Sequence, residues 1–179
     1  MRSICVYCSS SDQIDPAYRQ PARRLGQIIA EQGDKLVYGG GSVGLMGEVA
    51  RAVHAHKGKV VGVIPQSLTS DEIAYHNADE LIVTETMRER KQIMDDRADA
   101  FVVLPGGFGT LEELAEILVL KNLGYTDRPL IVVNMDGFYD PLIELFNHFV
   151  EHGFVKPKHR AMIAFVQTVQ DVYPGINEA

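Results

Sequence analysis

Seven apolar, β-branched runs of four to seven residues recur along this chain, at 3–7, 35–38, 59–64, 80–84, 100–104, 129–134 and 163–169. Between most of them lie segments long enough for a helix, among them 16–32, 43–57, 87–98, 111–123 and 139–152. Strands that alternate with helices specify βαβ units and a mostly parallel sheet. The runs are apolar throughout, as a strand must be when helices cover both faces of its sheet. The pattern predicts an α/β fold: a single doubly wound, Rossmann-like domain over residues 1–179, with about seven strands and helices on both faces.

Composition narrows the partners. Apolar residues make up 46% and charged residues 23% of 179, enough for a full core. The net charge of -7 excludes a broad basic groove for nucleic acid, although a small anion can still bind locally. No apolar run approaches the roughly 18 residues that would cross a membrane. Met1 to Tyr7 reads as a strand, not a signal peptide, and two cysteines make no disulfide framework. A cytoplasmic protein is expected.

In doubly wound sheets ligands bind beyond the carboxyl ends of the strands. Half of the 16 glycines fall in two clusters, five in 39–47 and three in 106–109, and each cluster directly follows a strand. Gly39-Gly40-Gly41-Ser42-Val43-Gly44-Leu45-Met46-Gly47 lacks the Lys-Ser/Thr ending of a P-loop. Gly39, Gly41 and Gly44 match a dinucleotide fingerprint, but at the second strand and without the acidic residue that would hold a ribose.

The second loop, Pro105-Gly106-Gly107-Phe108-Gly109-Thr110-Leu111-Glu112-Glu113, opens a helix. Backbone N–H groups there can approach a phosphate, and the helix N-terminus favours its charge. Thr110 and Glu113 also satisfy a capping box, Thr110 as N-cap and Glu113 at the third helical position. The alternative places Gly109 and Thr110 on a phosphate and Glu113 on a ribose. In the first helical turn Glu113 is expected to be an anion, hence a base or a negative charge more than a proton donor.

Residues 86–97 carry Arg88, Arg90, Lys91 and Arg97 against three acids, at a strand's carboxyl end where an arginine can face an anion. Helix 111–123 is apolar nearly all round: Leu111, Leu114, Ala115 and Leu118 form one face, while Ile117, Val119 and Leu120 extend around the cylinder. Such a helix must be buried on more than one side, which predicts a homodimer. Two other patterns are weaker. Cys5 and Cys8 form C-x-x-C inside a strand, where residues three apart face opposite ways. His148-x-x-Glu151-His152 matches an inverted zinc motif, which is more simply a polar surface helix, so no metal is assigned.

With both loops and the arginine helix taken together, the chain resembles the Lonely Guy family. These are cytokinin-activating nucleoside 5'-monophosphate phosphoribohydrolases, often labelled lysine decarboxylases. The family pattern P-G-G-x-G-T-x-x-E is met by Pro105 to Glu113, and the Gly39–Gly47 loop, Ile64-Pro65 and Gly137-Phe138-Tyr139-Asp140-Pro141 also match. The resemblance implies hydrolysis of the N-glycosidic bond of AMP or N6-isopentenyl-AMP, releasing the base and ribose 5-phosphate without a cofactor. It implies that Arg90 and Glu113 are catalytic. Lys91, Gly107, Gly109, Thr110, Glu72, Gly41 and Ser9 would bind substrate. Arg90 would either position Glu113 and the ribose or polarise the leaving purine. Arg88, Ser9 and Val119 depart from residues common in the family. No residues identify a pyridoxal-phosphate lysine. The alternative function is a nucleotide-binding carrier without turnover.

Overall fold

A computed structural model describes residues 1–69 and 73–178. Its centre is one seven-stranded sheet in the order β4-β3-β2-β1-β5-β6-β7. The strands are β1 (Ser3–Tyr7), β2 (Lys35–Tyr38), β3 (Lys59–Pro65), β4 (Glu80–Thr84), β5 (Ala100–Val103), β6 (Leu130–Val133) and β7 (Ala164–Val166). All six pairings are parallel. Order runs outward from β1 in both directions, so the chain reverses between β1 and β5, and a crevice opens there at the strands' carboxyl ends.

Alternate strand residues enter two separate cores. Ile4, Val6, Leu36, Tyr38, Val102 and Ile131 pack with helices α1 (Arg19–Glu31), α2 (Gly44–Ala55) and α7 (Val172–Glu178). Cys5, Tyr7, Val37, Val61, Phe101 and Val132 face the other way, onto α3 (Met87–Arg97), α4 (Phe108–Asn122) and α5 (Asp140–Glu151). Cys5 and Cys8 fall into opposite cores, as their spacing predicts, and burial raises both thiols far above their ordinary range. The edges are less apolar: β4 starts with exposed Glu80, which receives Arg97 at 2.7 Å, and β7 is three half-buried residues. Short or charged edges resist pairing with another chain.

Three local expectations change. The run 163–169 is strand only to Val166, because Thr168 and Asp171 form a reciprocal capping box that starts a helical turn leading into α7. The short helix α6 (Pro157–Arg160) and α7 were not anticipated. Helix α4 begins at Phe108 with Gly107 as N-cap, so Thr110 is its third residue and Glu113 its sixth. The 110–113 capping box is therefore not formed. Its buried face is Thr110, Glu113, Leu114, Ile117 and Lys121, while Leu111 and Ala115 point outward. No described helix is long and apolar enough to cross a membrane.

Candidate active site

The crevice beside β1 holds a cavity of about 550 Å³. Ser9, Ser10 and Ser11 line it after β1, Gly39, Gly41 and Val43 after β2, and Ile64 and Leu68 after β3. Met87 and Arg90 come from α3, and Gly107 to Thr110, Glu112 and Glu113 from the start of α4. Both glycine clusters and the arginine helix thus converge on one space. Ser9 joins the two loops, donating its N–H to Pro105 O at 3.1 Å and accepting at its own carbonyl from Met46 N–H at 3.3 Å.

At the floor lies a buried ion pair. Arg90 is 6% exposed and Glu113 5%, with Arg90 Nη1 3.4 Å from Glu113 Oε1. The guanidinium is fixed by Nε, which donates to Val63 O at 3.1 Å. It also needs room: a Cβ on Gly39 would stand 1.8 Å from Arg90 Nη2. That contact gives the first glycine of the 39–47 loop a specific purpose, which is to let the arginine pass. Removing Glu113 from water raises its carboxyl to about 7; Arg90 and Lys91 oppose this and Glu112 adds to it. The anion expected from helix position is thus overridden by burial, and near neutral pH Glu113 is present in both forms.

The N-terminus of α4, the helix that carries Glu113, lines the same cavity. No side chain among the described residues caps it, so the N–H groups of its first turn keep their partial positive charge at the end where residues 107–110 line the cavity. Gly107 and Gly109 have open space where a Cβ would project. Gly106 differs: its Cβ would clash with Thr110 Oγ1 at 2.1 Å, so it serves the packing of buried Thr110. A phosphate-sized anion on the α4 amides would leave its attached sugar facing the Arg90–Glu113 pair.

Of the residues that sequence singled out, Arg90, Glu113, Gly107, Gly109, Thr110, Gly41 and Ser9 border this one cavity. Lys91 does not. Its Nζ is engaged by Glu112 and, at 2.9 Å, by Glu116, which ties α3 to α4 beside the site. Glu72 lies outside the described residues. Sequence reasoning passed over Met87, Leu68, Ile73 and Phe108, apolar residues on the same cavity; an aromatic between two glycines, Gly107-Phe108-Gly109, was the readable signal. Among the described residues no group of three or more His, Cys, Asp or Glu side chains is arranged to hold a metal.

The family model described as "Possible lysine decarboxylase" matches residues 46–176. The cytokinin riboside 5'-monophosphate phosphoribohydrolase LOG of Oryza sativa subsp. japonica is 42% identical over 177 residues, covering 99% of this chain and 73% of that one. LOG2 of Arabidopsis thaliana, with the same described activity, is 44% identical over 162 residues, 90% of this chain and 76% of its own. Among solved structures, the molybdenum cofactor binding protein of Rippkaea orientalis has a TM-score of 0.73 at 23% identity, covering 99% of this chain and 97% of that one. The Moco carrier protein of Chlamydomonas reinhardtii has a TM-score of 0.74 at 21% identity, over 99% and 96%. At such identities these two structures bear on the fold alone, whereas the LOG enzymes share sequence over nearly the whole chain. The chain belongs to the family of the cytokinin riboside 5'-monophosphate phosphoribohydrolases.

Proposed function

We propose that this protein hydrolyses the N-glycosidic bond of adenosine 5'-monophosphates, including N6-modified ones, and releases the free base and ribose 5-phosphate. The observation that carries the reading is the buried Arg90–Glu113 pair lining the same cavity as the uncapped N-terminus of α4, the helix that carries Glu113. The phosphate sits on the amides at 108–110, which fixes the ribose over Glu113 and makes attack effectively intramolecular. Water oxygen bonds to C1' as the C1'–N9 bond breaks and its electron pair leaves with the base. Glu113, as the carboxylate, stabilises the positive charge developing at C1' and takes the proton of the attacking water. The departing base takes up a proton from solvent and Glu113 returns the one it took to solvent, so that one water is consumed and the carboxylate is restored. Arg90 favours the ionised form of Glu113 against the effect of burial and keeps it in place; its contacts with Val63 O and Glu113 support that role over polarisation of the purine.

The same reading includes a homodimer. Leu111, Ala115, Leu118 and Val119 of α4 form an open apolar groove with Phe146, Phe149 and Phe154, the last 84% exposed. A second copy of this chain is the occupant this reading assigns to it, as an apolar face of this kind marks an interaction surface.

The test is incubation with AMP or N6-isopentenyladenosine monophosphate and chromatography for free base. Base should appear with wild type and be lost in Glu113→Gln and Arg90→Ala. Tight AMP binding with no base released would instead support a carrier, which at present has only fold likeness behind it.

A further inference from the structure

Away from the reacting groups, a second buried carboxylate is surrounded by arginines. Glu48, on the first turns of α2, has a side chain only 7% exposed. Its Oε2 accepts from Arg23 Nε at 2.6 Å, and its Oε1 accepts from Arg19 Nη1 at 3.1 Å. Arg51 Nη2 lies 3.4 Å from the same Oε1. A lone buried carboxylate is costly, so three guanidiniums around one are a built arrangement, not surface decoration. None of the four residues lines the cavity.

Two of those arginines reach onward. Arg19 Nη2 donates to both the carbonyl and Oδ1 of Asp12, each at 3.1 Å. Asp12 Oδ1 in turn accepts the N–H of Gly44, the first residue of α2, at 3.0 Å. Arg51 Nη1 donates to Ser42 O at 2.8 Å. One arm from Glu48 therefore ends on the loop after β1, and the other on the loop after β2. These loops supply Ser9 to Ser11, and Gly41 and Val43, two segments of the cavity wall.

The two segments touch with little slack. Gly44 has φ +59°, a left-handed backbone that glycine adopts without strain, and a Cβ there would meet Ser9 O and the Ser10 carbonyl carbon at 2.7 Å. The loops are thus pressed together at Gly44 and held from outside by guanidiniums. Helices α1 and α2, which carry the guanidiniums and Glu48, cross closely: a Cβ on Gly26 would stand 2.5 Å from Val49 O. The anchor is a pair of closely packed helices, whereas the segments it holds lie outside regular structure.

We propose that Glu48 is a positioning residue for nucleotide binding, which acts through Arg19–Asp12 on the Ser9–Ser11 segment and through Arg51 on the Gly41–Val43 segment. It touches no substrate. Its carboxylate aims two arginines whose other donors fix the backbone of both wall segments. The inference rests on the reading of this cavity as a nucleotide site, but its direct readout does not.

The experiment compares wild type with Glu48→Gln, Asp12→Asn and the double variant, with Glu80→Gln, which removes an edge-strand ion pair, as the control. Asp12 is exposed, so its variant folds even if Glu48→Gln is impaired. Amide hydrogen exchange of segments 8–12 and 40–44 should accelerate in Glu48→Gln and Asp12→Asn but not in the control, while exchange in β5 stays unchanged. For AMP hydrolysis, KM should rise about tenfold in Glu48→Gln with kcat within about twofold, in the range that substitutions remote from a ligand impose through packed networks. The double variant should be no worse than Glu48→Gln alone, because Asp12 acts through the same arginine. Glu48→Asp should recover part of the KM. Unchanged exchange in both segments, or additive effects in the double variant, overturns the proposal. A wild type that releases no base defeats the hydrolase reading instead, and the exchange result and AMP binding still decide the role of Glu48.

Discussion

At pH 7 the Glu113 carboxyl is divided between its two protonation states, because burial raises it to about 7 although Arg90 stands 3.4 Å away. If the carboxylate is the working form, kcat/KM should climb with pH and level off above about 7. A profile that falls through that range would make Glu113 a proton donor. The same burial has a consequence for stability. Below the ordinary value of 4.5 the group is neutral in folded and unfolded chains and makes no difference; above about 7 it is charged in both, and the folded state bears the desolvation, up to about 3 kcal/mol. Glu113→Gln should therefore lose base release and yet, by urea denaturation, exceed wild type in stability at pH 8, with the gain gone at pH 4. Gly39 is a second test at this scale. Gly39→Ala drives a methyl into Arg90 Nη2, and the displaced guanidinium should lower kcat by about a hundredfold with the sheet intact by circular dichroism.

At the scale of elements, α3 and α4 meet beside the site through Lys91, which spans from one to Glu112 and Glu116 on the other. Lys91 lowers the Glu113 carboxyl and Glu112 raises it. Lys91→Met should move the midpoint of the kcat/KM profile upward and Glu112→Gln should move it downward, each by about half a pH unit, as expected for charges near a protein surface. Identical midpoints in both variants would remove Lys91 from the electrostatics of the site. The sequence makes α3 readable because Thr86 caps it and its charges stand at the end of an apolar strand. It misleads at α4, whose first three residues include exposed Phe108 and Gly109, neither of which carries an amphipathic signal. The packing of Thr110 over Gly106 takes the threonine into the helix and leaves the cap to Gly107. It misleads again at 163–169, where buried Val169 continues an apolar run into what is a helical turn. Glu48 could not be read as a hub because Arg19 and Arg23 lie 29 and 25 positions away and meet it only where α1 crosses α2.

For the whole molecule, the continuous apolar runs made seven strands and two covered faces legible, since only helices on both sides can bury residues such as Ile4 and Cys5 in turn. Strand order was not legible. No local signal says that β5 returns to lie beside β1, yet that return places the 105–110 loop against Ser9 and brings both glycine clusters to one crevice. The outer surface carries the remaining long-range consequence. The face Leu111, Leu114, Ala115 and Leu118 divides: Leu114 turns with Ile117 into the core and Leu118 packs partly against it. Leu111, Ala115 and Val119 are left to the groove, where Val119 is 54% exposed and Phe154 84%. Sedimentation at tens of micromolar protein should therefore give twice the chain mass, and Val119→Glu, which sets a charge in the middle of the apolar face, should give the chain mass with the far-ultraviolet spectrum unchanged. Because Leu111 adjoins Thr110 on α4, loss of the partner should also reach the phosphate wall, and KM for AMP should rise in the monomeric variant while Glu113's pH midpoint stays in place. A wild type that sediments as a monomer would leave the groove without this partner, and an undiminished KM effect in Val119→Glu would then have to come from α4 itself.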